Sequence, residues 1–251
     1  MTLRLSLVLL LTVAASGASA QRFEPTGLTV RLRAGFDQHQ HGALAAWQRA
    51  EQAAVGGSGI ALQETDAFPA FPSVRAEVGY VGGRWNRRRD LRYEVGAEVG
   101  VGSTGGRLYY EDYSGAFVVD RRVRRLVVGA YAEHEVGRVR GVWLGVRGHA
   151  RANVTTVSYQ RDVRLAGEDG ALSSATFRAV PISVEPSLAA EADASQRLRV
   201  RAQVGYEWST PARLGEAEPL PAEARWSTDV APSVNWRGVR AGVGVAVRFG
   251  D

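Results

Sequence analysis

The sequence of 251 residues contains no cysteine and no lysine. Without cysteine the chain has neither a lipid-attachment site nor a disulfide framework. All 31 residues counted as lysine or arginine are therefore arginines, and they give a formal net charge of +5 and a pI of about 9.9. A basic chain can bind nucleic acid, but these arginines alternate with apolar residues along the sequence. Together with the export signal described next, this alternation argues against nucleic acid as a partner.

Long apolar runs are also scarce, because beyond the N-terminus no stretch of about 18 apolar residues occurs. This absence excludes a helical membrane protein. The N-terminus itself resembles a secretory signal, with Arg4, an apolar segment over 5–15 and Ala18-Ser19-Ala20 before Gln21. We predict a signal peptide over 1–20, followed by a single domain over 21–251.

The most informative pattern is strict alternation, and it is clearest over 239–249. Valine, alanine and phenylalanine occupy the odd positions there, while Arg240, Gly242, Gly244, Ala246 and Arg248 occupy the even ones. A period of two indicates a β-strand with one apolar and one polar face. Eight segments share the pattern: 28–36, 74–81, 91–102, 124–136, 142–159, 176–190, 198–208 and 236–249.

The connections between these segments are alternately long and short, as expected of an up-and-down outer-membrane barrel that starts in the periplasm. We therefore predict an all-β, antiparallel transmembrane barrel of eight strands, with ten as the alternative if the first loop hides a strand. A helix is predicted within that loop over 43–55, and Pro181 and Pro186 weaken the sixth strand. The four external loops are predicted at about 37–72, 103–121, 161–175 and 209–234.

The signal peptide, the eight stripes and a last strand that ends near Phe249 resemble small bacterial outer-membrane β-barrels of the OmpA transmembrane-domain type. The segment from Trp236 to Phe249 is similar to the closing strand of the outer-membrane β-barrel family of Bacteroidota-like bacteria. The resemblance implies an outer-membrane location, contact with lipid and lipopolysaccharide, and insertion by the outer-membrane assembly machinery.

In such a barrel the polar faces point inward, and an eight-stranded lumen is just wide enough for side chains to fill. Charges enclosed there must pair, so a plug of ion pairs is the structural interpretation, and a narrow anion channel lined by arginine is the functional one. Arginine outnumbers glutamate on these faces, which leaves water, anions or loop carboxylates such as Glu111 and Asp112 as further partners. The predicted lumen network comprises Arg31, Arg33, Arg75, Glu77, Arg92, Glu94, Glu98, Arg147, His149, Arg151, Arg199, Arg201, Glu207, Arg240 and Arg248.

The outer rim carries a second cluster of charge, formed by Arg121, Arg122, Arg124 and Arg125. Guanidinium groups bind phosphate bidentately, so contact with lipopolysaccharide is one interpretation and a solvated, loop-paired charge run is the other. Aromatic residues are placed to form the two interfacial girdles of a barrel. Trp85, Tyr93 and Phe249 are predicted at the lower girdle, and Phe36, Tyr206 and Trp208 at the upper one.

Catalytic chemistry has little support in the sequence. His39-Gln40-His41 is a weak metal signal without further ligands, and His149 faces the lumen by parity without a Ser-His-acid spacing. We therefore predict no catalytic, cofactor-binding or metal-binding residue. The predicted function is a structural or surface-binding role of a monomer through its external loops, with an external ligand that the sequence does not identify. The alternatives are a small-solute or anion channel and, third, a lipid- or peptide-modifying enzyme.

Overall fold

The structure is a computed structural model that describes residues 25–57, 59–82, 92–165, 170–218 and 233–249. The signal peptide predicted over 1–20 lies outside the described residues, as do Trp85 and parts of the third and fourth predicted loops. Among the described residues no helix is both long and apolar enough to cross a membrane.

The described residues fold into an antiparallel barrel with one helix. Each ring strand pairs with its neighbours, and β13 pairs with β1 from Leu28–Phe249 to His39–Gly238, which closes the ring. The ring order is β1-β3-β4-β5-β6-β8-β9-β13, so the prediction of eight strands is confirmed. The elements are β1 (Pro25–His39), α1 (Gly42–Gly56), β2 (Gln63–Ala67), β3 (Phe71–Gly82), β4 (Tyr93–Asp112), β5 (Gly115–Val139), β6 (Val142–Leu165), β7 (Ala171–Ala179), β8 (Ile182–Asp193), β9 (Leu198–Ser209), β10 (Ala212–Arg213), β11 (Gly215–Glu218), β12 (Ser233–Val234) and β13 (Gly238–Phe249).

The two faces of each ring strand have the predicted orientation. On β1, Leu32 is 55% exposed, whereas Arg31 and Arg33 are buried inside. On β13, Val243 is 62% exposed and Gly244 lies on the inner face, where an added Cβ would lie 2.9 Å from Arg33 Cα. Valine and leucine therefore cover the outside of the cylinder and the charged side chains fill the inside.

Glycines on the inner faces make room for these large side chains. A Cβ on Gly100 would lie 2.7 Å from Arg75 Cγ, and one on Gly129 would lie 2.8 Å from Arg151 Cγ. Real side chains do not approach so closely. In a barrel of this width, a long guanidinium therefore needs a glycine on the adjacent strand.

Strands β4, β5 and β6 are far longer than predicted, at 20, 25 and 24 residues. The prediction of loops at 103–121 and 161–175 is wrong: β4 and β5 pair without a break from Tyr93–His134 to Asp112–Gly115, and β6 and β7 pair up to Val163–Ala171. The alternation continues through these segments, but the polarity of the two faces is reversed. Above Leu126 the outer face becomes polar, with Arg124 and Arg122, and the inner face becomes apolar, with Val123 and Val119.

The extended strands form a folded body at one end of the barrel. We call this end the upper end, and we call the body the external subdomain: α1, β2, β7, β11 and the parts of β4–β6 above Arg125. The helix predicted over 43–55 is confirmed as α1, and its buried residues Leu44, Trp47, Gln48, Glu51 and Val55 share one face. The apolar core of the external subdomain comprises Leu44, Trp47, Val55, Leu62, Phe68, Phe71, Leu108, Phe117, Val119, Val123, Val157, Tyr159, Ala175, Phe177, Ala179, Leu214, Val234 and Trp236.

The prolines of the sixth predicted strand mark where the external subdomain departs from the ring. β7 ends at Ala179 and β8 begins at Ile182, with Pro181 between them. Pro181 has no N–H to donate to a ladder, and its carbonyl accepts a hydrogen bond from the backbone N–H of Asn153. Pro186 lies within β8, where the regular pairing with β9 is interrupted between Val184 and Ser187.

Candidate functional site

The lumen is the candidate site, because most of the buried charged side chains converge there. Fourteen of the fifteen residues predicted for the lumen network lie on inner faces of the ring strands, and Arg92 lies directly before β4. Twelve of the fifteen are buried and three, Arg92, Arg199 and Arg248, are half-buried at the lower end. The prediction of a charged lumen agrees with this placement, and the contacts below show how the charges are paired.

Tyr131 lies at the centre of the lower group of contacts. Both guanidinium nitrogens of Arg31 contact the Glu94 carboxylate, and the Tyr131 hydroxyl donates to the same carboxylate at 2.6 Å. The Arg147 guanidinium lies 3.4 Å from the centroid of the Tyr131 ring and 2.8 Å from Glu77. The Tyr131 ring therefore attracts the Arg147 guanidinium through a cation–π interaction, and the Tyr131 hydroxyl positions the Glu94 carboxylate that pairs with Arg31.

Arg201 joins this lower group to the barrel wall opposite. Its guanidinium donates to Glu133 at 2.7 Å and to Glu191 at 3.1 Å. Glu191 also accepts from Arg199 at 2.9 Å. Shared carboxylates of this kind fix several strands against one another, because no single pair can move without breaking the next.

The middle of the lumen is organised around Glu98. Its carboxylate accepts from Arg151 Nε at 2.5 Å and from His149 Nδ1 at 2.8 Å, and it lies 3.5 Å from Arg75. The other ring nitrogen of His149 lies 3.1 Å from the Gln203 amide nitrogen. An amide N–H can only donate, so His149 is the neutral tautomer with its proton on Nδ1.

Arg240 links the middle of the lumen to the upper group. It contacts Asp37 at 3.0 Å, Glu185 at 2.9 Å and Glu207 at 3.2 Å. Glu207 is completely buried and also pairs with Arg125. Removing one member of such a buried set leaves an uncompensated charge, which costs several kcal/mol.

Trp236 closes the top of the lumen. The prediction that it begins the last strand is wrong, since β13 starts at Gly238 and Trp236 is completely buried. The Arg125 guanidinium lies 4.4 Å from its ring centroid, and its indole N–H donates to Thr155 at 2.9 Å. The rings of His39 and His41 meet it edge-on at 5.2 and 5.0 Å. These rings form a lid between the charged lumen and the apolar core of the external subdomain.

Sequence reasoning missed five charged members of the network. The carboxylates of Asp37, Glu133, Glu185 and Glu191 supply partners that the arginines lacked, and Arg125 is a further cation. The alternation along each strand could have identified them, because an even number of positions separates each of these residues from another inward-facing residue of the same strand. The loop carboxylates expected as partners of the lumen arginines have other contacts: Glu111 and Asp112 are exposed and accept hydrogen bonds from the hydroxyls of Tyr109 and Tyr110.

The predicted rim cluster divides between the two faces of β5. Arg122 and Arg124 are exposed, but Arg121 and Arg125 are 2% exposed and point inward, so their assignment to lipopolysaccharide contact is wrong. Arg121 pairs with Glu51 of α1, and its guanidinium lies 4.8 and 5.4 Å from the ring centroids of Trp47 and Tyr159. Alternation along a strand forces this result, since adjacent residues cannot share a face.

His39 and His149 each contact a buried carboxylate. His39 Nε2 lies 3.1 Å from Glu207, and no group of three or more ligating side chains is found among the described residues. His149 is buried at the middle of the lumen, so it does not reach the rim where a membrane substrate would lie. Burial lowers the pKa of His41 to about 3, with smaller contributions from His39 and Arg125.

Comparisons with known proteins find similarity among solved structures. No protein-family profile matches the chain, and no curated protein matches it. Among solved structures it is similar to Neisserial surface protein A, with 15% identity over 88% of this chain and 97% of that one, at a TM-score of 0.36. It is also similar to the outer membrane protease OmpT from Escherichia coli, with 10% identity over 92% and 99% of the chains, at a TM-score of 0.37. At these identities and scores no functional conclusion is drawn from either protein.

Proposed function

We propose that the chain is a bacterial outer-membrane β-barrel with a closed lumen, and that it acts through its external subdomain in a structural or surface-binding role. The observation that carries this proposal is the reversal of polarity between the two faces of β4–β6. Below the reversal the barrel presents an apolar exterior, with Leu126, Val101 and Val154 in its top row. Soluble monomers rarely expose a continuous apolar surface of this extent, whereas outer-membrane barrels have an apolar band about 25 Å tall.

Aromatic side chains at the two limits of this band support the same placement. Phe249 and Tyr80 are paired in register on either side of Leu28 near the lower end, and both are about half exposed. Phe36 is 65% exposed near the upper end, as is Trp208 at 43%. Interfacial girdles of tryptophan, tyrosine and phenylalanine occupy these levels in membrane barrels.

The closed lumen favours the structural or binding role over the channel. Buried ion pairs cross the barrel at several heights, from Arg31–Glu94 below to Arg125–Glu207 above. The Trp236 lid and α1 then cover the upper end. In planar bilayers the purified protein should give no stepwise conductance, and anion-selective steps would refute the proposal in favour of the channel.

Fractionation tests the location directly. The protein should appear in the outer-membrane fraction and should migrate differently on a gel before and after boiling, because a folded barrel binds less detergent than the unfolded chain. Recovery from the soluble periplasmic fraction with no change in mobility would contradict the placement. Export by the predicted signal peptide and insertion by the assembly machinery belong to the same proposal.

Contact with lipopolysaccharide is retained for the outward-facing arginines only. Arg124 and Arg178 flank Thr156 in one cross-strand row, and Arg122 lies one step further from the apolar band. These three residues, the rim arginines, are exposed directly above Leu126, at the level where lipid phosphates would lie. Such a row suits phosphate binding by guanidinium groups.

Changing the three rim arginines to glutamine should reduce the lipopolysaccharide that purifies with the protein. Arg49→Gln is the matched control, because Arg49 is exposed on α1 within the external subdomain and away from the row. Equal lipid content in the triple variant and the wild type would remove this contact from the proposal.

A further inference from the structure

The lower end of the lumen holds a recess whose donors are not all used. It has a volume of about 50 Å³, which is room for more than one water molecule. Its wall includes residues from all eight ring strands, and we call it the lower recess. The lining comprises Thr29, Arg31, Val81, Arg92, Tyr93, Glu94, Glu133, Glu135, Trp143, Leu144, Gly145, Ala189, Glu191, Arg199 and Arg248.

Apart from Arg31 Nε, whose guanidinium already contacts Glu94 through its other nitrogens, three N–H donors in this wall lack a partner. Arg92 Nη1, Trp143 Nε1 and Arg248 Nε are each buried and make no hydrogen bond with any described residue. A buried donor left unsatisfied costs about 1–3 kcal/mol, so three of them around one recess indicate a missing acceptor. The Arg92 guanidinium is held 5.1 Å from the centroid of the Trp143 ring, which fixes two of the three donors relative to each other.

The recess is lined by four arginines and four glutamates, so the unpaired arginines, and not the net charge, indicate the class of that acceptor. Among the described residues no carboxylate lies within ion-pair distance of Arg92 or Arg248, whereas deeper arginines such as Arg31 and Arg201 each contact two carboxylates. Arg199 is the third cation at the mouth, and it is already paired with Glu191. A free anion would satisfy the vacant donors and both unpaired cations at once.

We propose that the lower recess binds a phosphate group through Arg92, Trp143 and Arg248. A tetrahedral phosphate offers acceptors in several directions, which suits donors that arrive from three strands, and guanidinium groups bind it with two parallel hydrogen bonds. Glu135 also lines the recess and attracts Arg92, so its carboxylate competes with the anion for that cation. The site lies opposite the external subdomain and does not depend on the surface role proposed above.

Binding is tested on the folded, detergent-solubilised protein by titration with inorganic phosphate, using calorimetry and tryptophan fluorescence. A second titration uses short-chain phosphatidylglycerol and distinguishes a lipid headgroup from free phosphate as the source. Arg92→Gln and Arg248→Gln should each weaken binding by about tenfold or more, because each removes a charge-assisted contact. Glu135→Gln should tighten it, since the competing charge is gone.

The controls separate this site from general attraction by a basic protein. Arg49→Gln removes one positive charge from the exposed face of α1 and should leave phosphate affinity unchanged. Gel mobility before and after boiling verifies that each variant is folded, and Arg248→Lys keeps the charge if Arg248→Gln does not fold. The proposal is overturned if neither phosphate compound binds, or if Arg92→Gln, Arg248→Gln and Arg49→Gln all bind like the wild type.

Discussion

The buried carboxylate of Glu207 gives the sharpest test of the lumen network. It pairs with Arg125 and Arg240, lies 3.1 Å from His39 and accepts from the Ser183 hydroxyl at 2.5 Å. Glu207→Gln keeps the shape of the side chain and removes its charge. Two buried guanidinium groups then lose a partner, and breaking one buried ion pair costs about 3–5 kcal/mol. Arg240 retains Asp37, so we expect a loss near the lower limit, about 3 kcal/mol.

The control is an exposed pair of the same chemistry. Arg107 and Asp120 form a bidentate contact on the outer surface of the external subdomain, with side chains 52% and 38% exposed. Exposed pairs contribute about 0–1 kcal/mol, so Asp120→Asn should change stability little. Free energies of unfolding are measured by urea titration in phospholipid vesicles, with the heat-dependent gel mobility as the folding signal. A loss for Glu207→Gln no larger than that for Asp120→Asn would refute the reasoning.

Three further predictions follow from the packing. Gly129→Leu should destabilise the barrel by about 1–3 kcal/mol, because the new Cβ would lie 2.8 Å from Arg151 Cγ. Gly137→Leu is the control in the same unfolding assay, because a Cβ at that position would have no atom within 4 Å. Glu51→Gln removes the negative charge that pairs with Arg121, whereas the amide oxygen can still accept from the Tyr159 hydroxyl. Amide exchange over α1 should therefore accelerate while the barrel stays folded, and Arg49→Gln should leave it unchanged. Burial lowers the pKa of His41 from 6.5 to about 3, so between these pH values His41 binds a proton when the lid is open but not when it is closed. The closed lid is therefore most stable above pH 6.5. As the pH falls from 6.5 to about 3, the free energy of opening should decrease by up to about 1.4 kcal/mol per pH unit. Amide exchange over α1, corrected for the intrinsic rate, should show this slope in the wild type and in His134→Gln, and a smaller slope in His41→Phe, which retains His39 in the lid.

The barrel could be predicted from the sequence because a period of two assigns each residue to a face without knowledge of its partners. One such assignment, Val243 outside and Gly244 inside, depends only on counting from Arg240. The helix was equally accessible, since the alanine-rich segment before Gly57 favours helix and can present one buried face to the strands. These features are local, and local pattern fixes them.

The pairing inside the lumen could not be predicted in the same way. Arg240 contacts Asp37 although 203 positions separate them, and Arg31 contacts Glu94 across 63 positions. Such contacts depend on the closure of the ring and on the stagger between strands. Trp236 shows the same limit, because its alternation with the last strand suggested a strand residue, whereas the closed lumen places it as a lid.

The reversal of polarity between the two faces of β4 and β5 was missed, because the composition there indicates a loop whereas the period of two indicates strands. The segment from Gly102 to Gly106 is rich in glycine and polar residues, as loops are, yet Thr104 remains an inward residue paired with Val123. Where lipid surrounds the barrel, the outer face must be apolar and the lumen can hold charge only as pairs. Where water surrounds the same strands, the outer face must be polar, and the inner face can stay covered only by an element of its own, which here is α1. The polarity of the two faces of β5 reverses between Leu126 and Arg124, and we propose that the lipid boundary lies at this level.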